Sequence, residues 1–426
     1  MYILILLCYL ALILFLSWKL NLNRFGAGFL IIAWWMGWFT VSTIDRQEVL
    51  FSNAHSGFLI LIFCFSFLIG GGLLALLAEQ KASVIGGPEV KKASRFVFLC
   101  LAPILVLSFY AFFKTCILVF IKGYSFSHIR HLFFAFPEGG NFWFSHKFIW
   151  SLFLILSGFV FHFLLVVSLP LFLFNKGKLL FITFLVFVFL ETFTRMSRGL
   201  IYSIVVCAVF VLYMLYSEKR LRVNKKHLFF SGAGLIIIMI FLSLMRAHNP
   251  ITGFIRYHTI GFMMLTKLID KDYFFNSSTF TYGRMTLGGF DYLFGIFFRG
   301  LGDRFYQVPA YYNSFLENKL ILLDLKVLGY NSFYTMLSSP YLDFGEAGVG
   351  IVGIIIGFFT TKFEYLYRKN NDVMALIWLL FIFYNCIMGI FGAVFEVPGF
   401  WLTLIGLVLF SNFVNFDRIK KSATEV

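Results

Sequence analysis

The chain has 426 residues, of which 60% are hydrophobic and 13% charged, with a mean hydropathy of +0.89 and a formal net charge of +15. Soluble domains carry about 25% charged residues, so a soluble globular protein is excluded. Basic residues beside membrane spans and anionic lipid account for the positive balance without nucleic acid as a partner. The sequence holds neither G-x-x-x-x-G-K-[ST] nor G-x-G-x-x-G, which argues against ATP-driven transport by this chain.

In chain order, apolar runs near the spanning length of roughly 17–25 residues fall at 2–17, 26–41, 57–78, 96–113, 148–174, 179–193, 199–216, 228–245, 347–361, 373–392 and 397–414. Backbone polar groups in lipid must bond within their own segment, so these runs predict helices. A transmembrane β-barrel would show short alternating strands instead. The expected fold is an all-α polytopic transmembrane bundle of about eleven helices, with residues 1–426 as one integral membrane domain. Lys19 and Arg24, not a small-residue cleavage site, follow the first run, which predicts a retained helix. Cys8, Cys64, Cys100, Cys116, Cys207 and Cys386 lie in or beside apolar runs. They read as packing residues with no disulfide or metal spacing.

Orientation follows from Lys and Arg in the short connections. Alternate loops, starting after the first helix, hold Lys19 and Arg24, then Lys81, Lys91, Lys92 and Arg95, then Lys176 and Lys178. Further along the same side come Lys219, Arg220, Arg222, Lys225 and Lys226, then Lys362, Arg368 and Lys369, then Arg418, Lys420 and Lys421. This side is expected to be cytoplasmic, with the N-terminus outside and the C-terminus inside. A smaller outer loop then covers 114–147 and a large one 246–346.

Ionisable residues at depth come next, because lipid makes them expensive and function tends to retain them. In Glu191-Thr-Phe-Thr-Arg195-Met-Ser-Arg198 the three charges can share one helix face. One reading is a structural Glu191–Arg195 ion pair at a snorkelling helix end. The other is two guanidiniums aimed outward at a phosphate, whose oxygens match arginine's planar fork. The large loop adds Arg246, Arg256, Arg284, Arg299 and Arg304. Its apolar runs 259–266 and 292–298 are too short to span and suit interfacial or re-entrant helices. Asp270, Lys271 and Asp272 read as a solvated turn.

Tyr306, Tyr311 and Tyr312, beside Arg304, suit either a polyhydroxylated ligand or an aromatic interfacial belt. His248 and His258 are either proton acceptors or neutral surface histidines. Asp343 and Glu346 stand where a glycine-rich helix begins. They serve either its dipole or chemistry. Gly353 and Gly357 form G-x-x-x-G, which permits close helix packing.

Two blocks carry a family resemblance: Thr194-Arg195-Met196-Ser197-Arg198-Gly199, and Asn331-Ser332-Phe333-Tyr334-Thr335 followed by Tyr341-Leu342-Asp343-Phe344-Gly345-Glu346-Ala347-Gly348. With the helix count and the loop between the blocks, the chain resembles the Wzy-type polymerases of O-antigen or capsule oligosaccharide repeat units. The resemblance implies a multi-pass protein of the bacterial inner membrane. Its substrates would be undecaprenyl-pyrophosphate-linked oligosaccharides, as both donor and acceptor, on the periplasmic face. It implies a membrane-embedded chain-length regulator as a further partner, besides lipid itself. No cofactor is expected and no metal site is evident in the sequence; a divalent ion on the pyrophosphate is the alternative, which the arginine count makes unnecessary.

Preorganised cations are the main term expected for a departing pyrophosphate. Arg195, Arg198, Arg256, Arg284 and Arg304 are the residues assigned to it. A proton acceptor for the attacking hydroxyl is sought, in falling order, at Glu346, Asp343, Asp303 and His258, and sugar contacts at Tyr306, Tyr311, Tyr312 and Tyr341. The alternatives are an O-antigen ligase, with lipid A core as acceptor, and a lipid-linked oligosaccharide flippase. Charges gathered at one face rather than along a central path favour an enzyme over a flippase.

The orientation has a direct test. A reporter active only outside the cytoplasm is expected to work when fused near Asn318 and to fail when fused near Arg222. The opposite pattern overturns the topology.

Overall fold

The computed structural model describes residues 26–44, 54–77, 87–134, 140–144, 146–174, 177–195, 199–217, 250–270, 282–283, 285–290, 293, 335–392 and 394–424. The expected spans 2–17 and 228–245 lie outside them. Among the described residues the chain is helical and has no strand. The helices are α1 (Ala27–Ile44), α2 (Ala54–Leu77), α3 (Gly87–Cys116), α4 (Phe126–Phe134), α5 (Gly140–Trp143), α6 (Lys147–Leu173) and α7 (Lys178–Arg195). They continue with α8 (Gly199–Ser217), α9 (Pro250–Asp270), α10 (Ser338–Asn370), α11 (Val373–Met388) and α12 (Pro398–Thr424). A π-turn (Ile117–Ile121) follows α3, and a 3-10 turn (Val394–Glu396) precedes α12.

Five helical stretches are long and apolar enough to cross a membrane: Ser56–Leu73, Arg95–Ile121, Phe148–Leu173, Gly199–Ser217 and Ser338–Asn370. Shorter apolar stretches occupy Ala27–Thr43, Val373–Met388 and Pro398–Val414. The outer surface agrees with a lipid environment. Leu99, Val106, Phe113 and Phe120 recur every seven residues, and all four are exposed. An uncovered apolar stripe of this length is unfavourable in water and natural against hydrocarbon. The chain is an all-α, multi-pass membrane protein.

Several helices outrun their apolar stretches. α3 starts at Gly87 and not near 96, α12 continues to Thr424, and α10 extends to Asn370. Hydropathy marks the part that lipid tolerates. The backbone ladder continues through Lys91, Lys92 and Arg95, and through Arg418, Lys420 and Lys421, because charged side chains do not interrupt it.

The described residues form two compact units. The first contains α1, α2, α9, α10, the later part of α11 and the start of α12. Its centre is aromatic: Trp35 packs on Phe63 and Phe262, with ring centroids 5.4 and 5.8 Å away. A buried indole N–H needs an acceptor, and Trp35 Nε1 donates to the Cys386 carbonyl at 2.9 Å. At the opposite end of α1, Glu364 of α10 accepts the Ala27 N–H at 2.9 Å and pairs with Arg368. α2 and α10 meet through small residues. Gly357 abuts the Phe67 backbone, Gly70 abuts Ile354, and a Cβ on Gly353 would lie 2.8 Å from the Phe63 carbonyl. The G-x-x-x-G read in the sequence is thus the contact surface of α10 with α2.

The second unit contains α3 to α8, the start of α11 and the remainder of α12. Its core stacks Trp143 on Trp150 at 5.3 Å, with Phe133 edge-on to both. Trp143 Nε1 donates to Thr115 Oγ1 at 2.9 Å. α3 and α6 both pack along α7.

The α2–α10 contact gives a stability test. Gly357→Ala sets a Cβ against the Phe67 backbone and is expected to destabilise by about 1–3 kcal/mol, as overpacking does. Gly72→Ala, where a Cβ meets nothing within 4 Å, is expected to match or exceed the parent. Thermal unfolding in detergent decides, and equal midpoints for the parent and Gly357→Ala would remove this contact from the stability account.

Candidate functional site

α10 contains a break. Phe344 (φ −145°, ψ 17°) and Gly345 (φ 63°, ψ −145°) leave helical geometry, dividing 338–343 from 346–370. The Gly345 dihedrals are tolerated essentially only by glycine. Three neighbouring side chains are consequently sorted. Asp343 is fully buried, Phe344 is 45% exposed, and Glu346 is exposed at the start of the longer segment.

Asp343 acts at a distance along the chain. The Gly283 carbonyl accepts the Leu287 N–H at 2.8 Å, which makes Gly283 the cap of the helical turn through Phe290. Such a turn leaves its first N–H groups without partners, and a side-chain oxygen at the cap position usually accepts them. Glycine has no side chain. Asp343 supplies the oxygens instead: Oδ1 accepts from Met285 N at 3.0 Å and Oδ2 from Thr286 N at 2.6 Å. The carboxylate caps a turn that lies 57–58 residues away in sequence.

The turn before this cap has an unusual residue. Tyr282 has φ 50° and Gly283 φ 90°, both in the left-handed region, as at the two central positions of a type I′ turn. Asn or Gly fits there, whereas a bulky residue is an outlier that costs about 1–3 kcal/mol. The Tyr282 ring gains no burial, being 69% exposed. It meets the Phe344 ring edge-to-face at 6.5 Å, and a Cβ on Gly283 would lie 3.9 Å from Phe344 Cζ.

Further contacts close this end of the first unit. Ser339 Oγ donates to Glu396 Oε1 at 2.6 Å, and Met336 N donates to the Gly389 carbonyl at 2.6 Å. Phe290 packs on Trp401 at 6.0 Å, and Trp401 Nε1 bonds the Phe395 carbonyl at 2.7 Å.

His258, on α9, is buried in the same unit. Its ring stacks on Trp38 at 4.1 Å and is also met by Trp34, Phe254 and Phe391 at 5.7, 4.1 and 4.8 Å. A carbonyl can only accept, so Nδ1–H donates to Phe254 O at 2.8 Å, which leaves Nε2 as the acceptor nitrogen of the neutral ring. Burial pushes the imidazole down to about 4, against a smaller upward pull from the Phe254 carbonyl.

The second unit holds a separate polar cluster. Glu191, 1% exposed, takes Arg195 Nε on Oε2 at 2.7 Å and Ser108 Oγ on Oε1 at 2.9 Å. An Nη2 hydrogen of Arg195 goes to Ser157 Oγ at 2.6 Å. The guanidinium carbon lies 5.4 Å from the Phe133 ring centroid. One ion pair thereby ties α7 to α3, α6 and α4.

Of the residues expected from sequence, Glu346, Asp343, His258 and Tyr341 fall in the first unit and Arg195 in the second. Tyr341 is 3% exposed and packed inside. Asp303, Arg198, Arg284, Arg304, Tyr306, Tyr311 and Tyr312 lie outside the described residues, as does the Arg256 side chain. Asp343 nonetheless fixes the backbone that directly follows Arg284. Among the described residues no three His, Cys, Asp or Glu side chains gather to hold a metal. Sequence reasoning missed Tyr282, Phe344, Ser339 and Glu396. A Tyr-Gly pair where a tight turn wants Asn-Gly was the available signal for the first.

His258 predicts a pH response. Above pH 6.5 both folded and unfolded chains hold it neutral. As pH falls below 6.5 the unfolded imidazole takes a proton that the folded one refuses until about 4, so stability is lost across that window. The loss approaches about 3 kcal/mol at the acid end, at 1.36 kcal/mol per pKa unit. In thermal midpoints measured from pH 7.5 to 4.5, His258→Phe is expected to flatten the acid limb. A limb as steep as the parent's assigns the loss elsewhere.

Compared with models of protein families, with curated proteins and with solved structures, the chain matches none.

Proposed function

We propose that the chain polymerises polyprenyl-pyrophosphate-linked oligosaccharide repeat units at the outer face of a bacterial inner membrane. The growing glycan moves from its lipid carrier onto the non-reducing end of a fresh lipid-linked unit. The anomeric carbon–oxygen bond to pyrophosphate breaks, and a glycosidic bond to the acceptor oxygen forms. The acceptor proton passes to a carboxylate, and polyprenyl pyrophosphate departs.

The observation that carries this reading is the division of labour at the α10 break. Asp343 is buried, and its two oxygens accept the N–H groups of Met285 and Thr286. Glu346, beyond the break, is exposed. Glu346 is therefore the proposed general base, and Asp343 a positioning residue for the segment that carries Arg284. Arg198, Arg256, Arg284 and Arg304 are proposed for the pyrophosphate, whose negative charge grows as it leaves. Arg195, already paired with Glu191, anchors the end of α7 and shares that role through its remaining donors.

Glu346→Gln keeps the shape but cannot take the proton. With purified protein and a synthetic lipid-linked repeat unit, it is expected to slow polymerisation by about 10²–10⁴-fold, as loss of a general base does, while inserting normally. A helix-dipole role would change stability by only about 0.3–1 kcal/mol. Polymerisation within a few-fold of the parent makes Glu346 a cap and moves the base elsewhere. An assay with no lipid A core present also separates polymerase from ligase.

A further inference from the structure

We infer that Tyr282 and Phe344 form a stacking subsite for a pyranose ring of the glycan beside Glu346. The inference deepens the polymerase reading and rests on it for the identity of the sugar.

Three observations converge on this pair. The backbone at Tyr282 is in the left-handed region, where asparagine or glycine would sit without strain. Such strain persists when the surroundings impose it, and it concentrates at ligand-contacting positions. The surroundings here are identifiable. Asp343 pins Met285 and Thr286, and the Gly283 carbonyl is bonded to Leu287 N. The strained turn is thus held from its C-terminal side by a buried carboxylate.

The second observation is exposure. Tyrosine's usual compensation is burial of its ring, yet Tyr282 is 69% exposed and Phe344 45% exposed. The two rings stand 6.5 Å apart at an interplanar angle of 72°. This leaves ring surface of each free to meet a third flat, weakly polar body. The apolar C–H face of a pyranose is such a body. The Tyr282 hydroxyl adds a hydrogen-bonding group at the rim.

The third observation is the neighbour. Glu346 stands two residues beyond Phe344, across the Gly345 break, and is exposed. A sugar held on the aromatic pair would present its hydroxyls to an acceptor of hydrogen bonds. Tyr341, the tyrosine nearest in sequence to this break, is buried, so among the described residues at this break the exposed aromatic surface is that of Tyr282 and Phe344.

The test uses the full chain in lipid nanodiscs. The probe is the lipid-free oligosaccharide released by mild acid from the producing bacterium's lipid-linked repeat unit. Saturation-transfer NMR is expected to show contact with the parent protein and with Glu346→Gln, and none with Tyr282→Asn or Phe344→Ala. Tyr282→Asn relieves the turn, so its thermal midpoint is expected to rise while its KM for the lipid-linked unit increases about tenfold, the scale of a lost aromatic contact. An interfacial anchor predicts the reverse: a lower midpoint and an unchanged KM. No transfer to the parent protein, or equal transfer to Tyr282→Asn and Phe344→Ala, overturns the subsite. Transfer that depends on Tyr282 in a protein that does not polymerise overturns the proposed reaction and leaves the subsite standing.

Discussion

Asp343 is shut away from water, and a buried carboxylate is tolerable only when its oxygens are bonded. Met285 and Thr286 supply two N–H groups from the first turn of a helix. Hydrogen bonds to a charged group contribute about 1.5–3 kcal/mol each, enough to hold a loop that glycine alone could not cap. The arrangement of this end of the first unit follows. The turn at Tyr282 and Gly283 is pressed against Phe344, and Gly289 is packed against the Val397 backbone. Removing the carboxylate would take this acceptor from the buried Met285 N–H and the part-buried Thr286 N–H.

The second unit solves the same problem by different means. Glu191 is buried with a cation, not with a helix end, and its pair with Arg195 is local, one turn along α7. Ser108 and Ser157 extend the pair into α3 and α6. Breaking such a pair typically costs about 3–5 kcal/mol, because the remaining charge is stranded. The structural and the phosphate-binding readings of Arg195 do not exclude each other. These bonds engage Nε and one Nη2 hydrogen, and a guanidinium has further donors.

What the sequence made legible was mainly what is local. The apolar runs located nine of the described helices, and G-x-x-x-G marked the face α10 turns to α2. The Glu191–Arg195 pair was visible because one helical turn separates its members. Asp343 and Glu346 were visible as residues and misleading as a pair. Both stand where a glycine-rich helix begins and read alike, as serving its dipole or chemistry, whereas the break at Phe344–Gly345 puts them in different surroundings. Met285 and Thr286 as Asp343's partners were not legible, since no local rule links positions 57–58 apart. Nor was the cage around His258, assembled from α1, α9 and the chain after α11.

The Gly345 break therefore does chemical sorting without a chemical group of its own. In an unbroken helix a carboxylate that points inward to cap a loop would take its i+3 neighbour toward the same side. Two acidic side chains would then share one buried face. By leaving helical geometry for two residues, the chain separates them. Asp343 stays inside with N–H donors on both oxygens, Phe344 turns toward Tyr282, and Glu346 opens the next helix, exposed. The two acidic side chains thereby differ in exposure. Here that difference arises from one glycine with φ 63°.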